Sequence, residues 1–451
     1  MIDGRRIKKL NNKKIIVRND FFVYWMQHSQ RTHYNHALEY CVELANKYGR
    51  PLAVYFGITP SFPEANSRHY RFMLEGLREV EADLLKRGIK FVCELKSPED
   101  GISDFSKNAC AVVTDRGYLR IEKQWRKKVS ENIGCAMFQV ETDLIVPLEE
   151  ASLKEEYAAY TIRKKINSRI FEFLVPVKEE KPDIFYPGLA GESQESLDVE
   201  SILSKLPFSD KFPTVKFRGG TSEALGYLES FIDNRLSFYD EKRNDPSLDF
   251  TSHLSPYLHF GQISPVYAAL KVLETKSDGA DAFLEEMIVR RELSFNFVSY
   301  NPFYDSFDSL PEWAKTTLLE HEKDRRDYIY STEEFEGSLT HDRYWNAAQL
   351  ELVLTGKMQG YMRMYWGKKI IEWTETPRKA FDTALYLNNK YALDGRDPNS
   401  FTGVAWCFGK HDRPWKERPV FGKIRYMNSN GLKRKFNPDL YADKVYSSRT
   451  Y

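Results

Sequence analysis

Apolar positions along this chain change their period near residue 220. Up to about Pro147, short runs dense in β-branched and aromatic residues recur: FFVYW (21–25), PLAVYFGI (51–58), IKFVCEL (89–95), ACAVVTD (109–115) and CAMFQV (135–140). Between them lie stretches with apolar residues every three to four positions, notably 36–48 and 68–87. Strand-like runs alternating with helical periods predict a doubly wound α/β domain with a parallel sheet over 15–150. Ligands on such sheets lie at the carboxyl ends of the strands, here near 25–31, 58–62 and 115–120. No GxGxxG follows the first strand, so a standard dinucleotide grip is not expected there.

Residues 148–175 read as helix, and 176–220 as a linker with five prolines, four glycines and acidic, serine-rich tracts. Together 151–220 form the interdomain segment. From 221 to 451 the chain reads as an all-α domain, with amphipathic stretches at 222–240, 265–275, 282–297, 344–354, 361–373 and 377–389. Turn signals such as NDPS, YNPF, TGK and DGRDPNS separate them. No internal repeat or low-complexity tract interrupts this plan.

Composition narrows the picture modestly. The 451 residues are 42% hydrophobic and 29% charged, enough apolar material for two sizeable cores. Net charge is only +1, so no global field marks a polyanionic partner. Locally, residues 410–435 hold nine Lys/Arg against Asp412 and Glu417, with Trp415, Phe421 and Tyr426 interleaved. That mixture suits phosphate contact with stacking, and equally a solvated face. Five scattered cysteines without CxxC indicate neither a disulfide framework nor a metal site. The basic N-terminus lacks an apolar h-region and no apolar run reaches eighteen residues, so a soluble intracellular protein of the cytoplasm or nucleus is expected, without membrane contact.

Two segments carry more specific information. HLSPYLHFGQIS (253–264) combines a hydroxyl before Pro, a Gly and a following helix, chemistry that suits a pyrophosphate or simply a Pro-initiated helix. TGKMQGYMRMYWGKKIIEW (355–373) precedes LNNKYALDGRDPN (387–399). Trp366 and Trp373 within it are seven apart, on one helical face with Cα atoms roughly 10 Å apart. With RNDP (243–246), VYWM (23–26), EYAAYT (156–161), YNPFYD (300–305) and KIRYM (423–427), these segments closely resemble the class II cyclobutane pyrimidine dimer photolyases of the photolyase/cryptochrome family.

The resemblance implies a monomeric, FAD-dependent enzyme that repairs pyrimidine dimers in double-stranded DNA under light. Reduced FAD would donate an electron to a flipped-out dimer. The implied FAD contacts are Tyr239, Leu254, Ser255, Gln262, Arg291 at a phosphate, the pair Arg363 and Asp394 against the flavin ring, and Asn388 near its N5, with Asn399 as the alternative. Trp366, Trp345 and Trp373 would reduce the flavin in that order. At the lesion, Glu286, Met364 and Trp406 match the family, whereas a second expected Trp reads here as Arg290. A guanidinium stacks and binds phosphate but lacks the apolar area of an indole. Arg243 and Asp412 are expected as an ion pair supporting the opened duplex, and Arg413, Trp415 and Lys416 as the segment filling the bubble. Around 28–38 and 140–147 the chain departs from the family's antenna pattern, so a second chromophore has no assigned identity. Two other functions fit the same fold: a non-catalytic binder of distorted or branched DNA, which Arg290 would favour, and a cryptochrome-like photoreceptor.

Overall fold

Strands β2 (Phe21–Trp25), β3 (Leu52–Gly57) and β5 (Ala109–Asp115) are buried along their whole length, which is why they read as continuous apolar runs rather than alternating ones. In this computed structural model, which describes residues 1–187, 197–208, 212 and 215–448, they form a six-stranded sheet. Its order is β1-β6-β5-β2-β3-β4, with β1 at Ile7–Lys9, β4 at Lys90–Glu94 and β6 at Ala136–Val140. Strands β2 to β6 are mutually parallel, as the sequence predicts. The addition is β1, antiparallel to β6 with Ile7 opposite Val140. Its IKK sequence carries no apolar signal because it is an edge strand with two exposed lysines. The α/β domain therefore begins before residue 15.

Helices cover both faces. His36–Tyr48 starts at Asn35, whose side chain accepts from Ala37 and Leu38 N–H, and ends at Gly49 with φ 60°. Ser67–Lys86 starts at Asn66. The predicted helix over 148–175 is three short ones, Leu148–Ala151, Ala159–Asn167 and Ile170–Phe173. The predicted linker contains a helix, Val199–Ser204, whose Val199 joins the core of the α/β domain. Its acidic, serine-rich tract at 188–196, and 209–211 with 213–214, lie outside the described residues.

The remainder is helical, in two apolar cores. Gly360–Trp373, Arg343–Thr355, Pro377–Tyr391 and Pro398–Cys407 surround one of them. The predicted helix at 282–297 is subdivided: Ala280–Leu284, a π-helical segment Glu285–Arg290, then Arg291–Tyr300. Such π segments insert a residue into a helix and re-aim the side chains there. The two domains are stapled together at the start of Ser67–Lys86. Asn66 Nδ2 donates to the Lys390 carbonyl (2.7 Å), Arg68 Nη1 to that of Tyr391 (3.1 Å), and His69 Nε2 lies 3.0 Å from the Ala392 carbonyl. These bonds fix the turn that carries Asp394. No helix among the described residues is long and apolar enough to cross a membrane.

Candidate functional site

The site is organised by the helix Gly360–Trp373. Gln359 caps it, accepting from Tyr361 N–H (2.6 Å) and Met362 N–H (3.2 Å), while its Nε2 donates to the Arg243 carbonyl (2.5 Å). One turn on, Arg363 Nη2 meets Asp394 Oδ1 at 3.1 Å. Burial alone would raise the Asp394 carboxyl, but Arg363, the Ser255 hydroxyl and Lys357 outweigh it and hold the group below the usual carboxylate range. Asp394 and Ser255 thus join two loops that the sequence separates by 139 positions. Leu254 is buried beside Ser255, and Tyr239 lies under the Arg243 guanidinium, 5.5 Å from ring centre to Cζ. The Nε groups of Arg243 and Arg363 are enclosed without an acceptor among the described residues, so the site offers donors to an acceptor-rich, anionic molecule. This donor set fits a flavin nucleotide.

Asn388 is buried and its Nδ2 donates to Ser400 Oγ, whereas Asn399 is exposed with its backbone N–H on Asp397 (2.7 Å). Of the two candidate amides, Asn388 is therefore the inward one. Gln262 and Arg291 stand at the joint between the two domains, and Arg291 Nη2 is buried there without a partner among the described residues. Gln262 accepts from Gly220 N–H (2.7 Å) and donates to the Phe72 carbonyl (3.2 Å), closing the joint between the domains. Arg291 Nη1 donates to the Asp143 carbonyl (2.5 Å) across the same joint, its Cζ 4.4 Å from the Phe295 ring centre. A motif match fixes which residue stands at a position; the rotamer and its partners decide where the side chain goes.

The three tryptophans converge. Trp345 stacks on Trp366 with ring centroids 6.4 Å apart and planes 5° from parallel, and reaches Trp373 at 6.3 Å. All three are almost wholly buried. Trp345 Nε1 donates to the Trp366 carbonyl (3.0 Å) and Trp366 Nε1 to Gln349 Oε1 (2.9 Å), which fixes both indoles. The order Trp366, Trp345, Trp373 is thus one of spatial contact, and it leads away from the helix turn that carries Arg363.

On the opposite side, the π segment presents Glu286 and Arg290. Glu286 Oε1 lies 2.8 Å from Arg243 Nη1. Among the described residues, Arg243 has no ion pair with Asp412, so that expected pair is corrected to Arg243–Glu286. Asp412 instead accepts from Arg413 N–H (2.8 Å) and Trp415 Nε1 (3.3 Å), shaping its own loop. The Arg290 guanidinium carbon sits 5.2 Å from the Trp406 ring centre, and Arg290 Nε is 3.3 Å from Glu285 Oε1. Glu285 also binds Arg163 (2.6 Å), a tether the sequence reading missed because the i, i+5 proximity of Glu285 and Arg290 arises only in a π turn. Met364 Sδ lies 3.7 Å from Cys407 Sγ in the same wall. Beyond it, Arg413, Trp415 and Lys416 are exposed, with Arg425 5.2 Å and Arg413 5.7 Å from the Trp415 ring centre.

Away from this site, a cavity of about 120 Å³ opens at the carboxyl ends of the parallel strands. Met26, Gln27, His28 and Gln30, then Ile58, Thr59 and Phe62, then Tyr118 and Leu119 line it, within the stretches that sheet topology singles out, with Glu122 just beyond the third. Phe62, Tyr70, Trp125 and Phe260 supply aromatic walls. Gln27 Nε2, His28 Nε2 and Gln30 Oε1 are buried there without a partner among the described residues.

With this geometry, the relatives of the chain are informative. The DNA photolyase family model matches residues 22–183. A deoxyribodipyrimidine photo-lyase from Methanothermobacter thermautotrophicus is 51% identical, with 99% of each chain covered. One from Arabidopsis thaliana is 42% identical over 94% of this chain and 88% of its own. The crystal structure of an archaeal photolyase from Sulfolobus tokodaii with two FAD molecules superposes with a TM-score of 0.70 at 18% identity, covering 94% of this chain and 89% of that one. An α/β domain joined to a helical domain, with close relatives matched over nearly their full length, shows that the chain belongs to the DNA photolyase family.

Proposed function

We propose that this chain is a deoxyribodipyrimidine photo-lyase that uses light to split cyclobutane pyrimidine dimers in DNA. The observation that carries the reading is that one helix, Gly360–Trp373, bears both Arg363, paired with Asp394, and two members of the stacked tryptophan chain. When bound, reduced FAD supplies the photoexcited electron that opens the cyclobutane ring and takes it back afterwards.

The residues of the chain hold and tune this chemistry. Arg363 places a fixed cation beside the flavin site, favouring an electron-rich ring, and Asp394 keeps that cation in position. Buried Asn388 presents an amide to the same site. Trp366, Trp345 and Trp373 would form the path along which an electron passes toward the flavin site. On the DNA side, Glu286 is placed to hydrogen-bond the flipped dimer, with Trp406 and the overlying Arg290 as its stacking wall and Met364 beneath. The exposed Arg413, Trp415 and Lys416 fill the gap in the duplex and contact phosphate. Repair of a thymine-dimer oligonucleotide by photoreduced protein, with a dark control, tests the reading. Light-dependent loss of dimers is expected; flavin-loaded, photoreducible protein that binds distorted DNA without repair would replace it with the non-catalytic reading.

The cavity at the strand ends is proposed to hold a second, planar heteroaromatic chromophore as a light-harvesting antenna. Its aromatic walls and the unbonded Gln27, His28 and Gln30 atoms support this. Purified protein should then show a second visible or near-ultraviolet absorption band, which Trp125→Ala and Gln27→Leu should deplete without loss of flavin. An unchanged band in both variants would place that chromophore elsewhere.

A further inference from the structure

Beside the flavin site lies a chain of three polar groups that none of the roles above uses, with His253 buried, Lys357 partly buried and Asp249 exposed. Lys357 Nζ donates to His253 Nδ1 at 2.7 Å, and His253 Nε2 lies 2.7 Å from Asp249 Oδ1. Since Nδ1 accepts from the ammonium, the ring proton is on Nε2 and bonds the carboxylate, so the imidazole is neutral. The histidine is fixed unusually firmly. Its φ of 58° lies in the left-handed region, which residues other than glycine enter seldom and asparagine, aspartate and histidine most often, and the rings of Phe217 and Tyr227 each pack 5.7 Å from it. Burial opposes the charged form of His253 most strongly and Lys357 adds to that, lowering its pKa to about 4.

This arrangement leaves Lys357 with work undone. An ammonium has three donors, and the only side-chain acceptor it meets among the described residues is this uncharged nitrogen. No carboxylate lies within ion-pair distance of it among those residues; Asp249, Asp394 and Glu351 act on it only from farther away. Burial lowers its pKa to about 8, against the pull of Asp394 and Asp249. Yet Lys357 keeps some accessible surface, as do Arg363, Asp394 and Ser255, and the charges of Asp394 and Arg363 both act on its ammonium. His253 directly precedes Leu254 and Ser255, and Lys357 directly precedes the capping region of the helix that carries Arg363. Both ends of the contact therefore border the proposed flavin site.

We propose that Lys357, aimed by His253 and Asp249, is a phosphate-binding cation of the flavin site, contacting the diphosphate that distinguishes FAD from its phosphate-free parent riboflavin. A compact ammonium with free donors suits a phosphate oxygen, and a neutral imidazole acceptor leaves its charge available to that anion. Lys357 would be the direct contact and His253 a positioning residue. The inference rests on the flavin reading given above.

The test compares two ligands on flavin-stripped full-length chain. Wild type binding FAD establishes the flavin site itself; failure to bind any flavin would remove that reading and this one together. With that in place, Lys357→Met and Lys357→Gln are expected to weaken FAD at least ~10-fold, about 1.4 kcal/mol, while riboflavin affinity stays within about twofold. Lys357→Arg should restore most of the FAD affinity, and FAD binding by wild type should weaken with added salt more steeply than binding by Lys357→Met. His253→Ala should give a smaller selective loss, reflecting a misplaced but present ammonium. Equal loss of both ligands, or loss of neither, would overturn the proposal and make the chain Asp249–His253–Lys357 a structural brace.

Discussion

The tryptophan chain and the wall proposed to face DNA, here the DNA wall, solve different problems. Trp366, Trp345 and Trp373 are buried, ring against ring, with two indole N–H groups bonded inside the protein. Nothing external is needed to complete that geometry. The DNA wall is held by contacts among its own side chains: Arg243 on Glu286, Arg290 on Glu285 and Trp406, Trp415 on Asp412. Those pairs are half-exposed and individually weak, about 0–1 kcal/mol each. In the proposed function, DNA would exchange them for its own contacts at little loss. Electron transfer calls for a rigid path, whereas lesion capture calls for groups that are held in place but easily released.

Breaking the rigid side should have the largest effect. Trp345→Phe removes the middle indole and should slow light-driven flavin reduction at least ~10-fold, equivalent to about 1.4 kcal/mol in barrier. Repair by chemically reduced enzyme should stay close to wild type, because the DNA wall is untouched. Transient absorption after a flash, set beside dimer repair in dithionite, separates the two. Loss of both activities would mean that the indole supports the fold rather than the path.

How much of this contrast the sequence carried depends on the kind of feature. The relay was legible because helical spacing sets Trp366 against Trp373, and the family resemblance supplied Trp345. The five parallel strands were legible because burial on both faces writes itself as unbroken apolar runs, and sheet topology alone located the cavity at the strand ends. Features set by orientation were not. Gln262 and Arg291 stand where the motif predicts, yet turn into the domain joint. Arg243 pairs with Glu286 because the π segment Glu285–Arg290 shifts the register of its helix, and no sequence period encodes that insertion. Strand β1 was invisible since an edge strand ending in two exposed lysines has no hydrophobic pattern.

An intermediate effect is expected at the releasable side. Trp415 is 41% exposed and flanked by Arg413 and Arg425, a surface suited to an unstacked base. Trp415→Ala should weaken binding of dimer-containing duplex by about 1–3 kcal/mol, the range of one base–aromatic stack. Lys416→Ala should act on damaged and undamaged DNA alike and reduce the slope of log affinity against log salt by about one. Binding isotherms at several salt concentrations check both. If Trp415→Ala weakened undamaged duplex equally, stacking in an opened duplex would not be its role. Neither change should alter photoreduction.

The smallest effect concerns acid. His411 lies behind the DNA wall, its Nδ1 2.7 Å from the Tyr157 carbonyl and its ring 5.9 Å from Trp406. Burial, Lys410 and Arg290 lower its pKa to about 4, against an ordinary value of 6.5. The folded protein therefore keeps this imidazole neutral while the unfolded chain binds a proton below pH 6.5. Its contribution to stability is complete above that value and is lost as pH falls toward 4. Between pH 7 and 6 the loss is below about 1 kcal/mol, growing at lower pH. His411→Asn retains a donor for the Tyr157 carbonyl but cannot titrate, so its unfolding free energy should fall less steeply than wild type across pH 6.5 to 4. Buried His36, His69 and His253, also held below their ordinary value, keep a residual slope in both proteins, so the difference between the two curves is what reports His411. Parallel curves would mean that this imidazole titrates normally, and that the wall behind Trp406 is open to water rather than sealed.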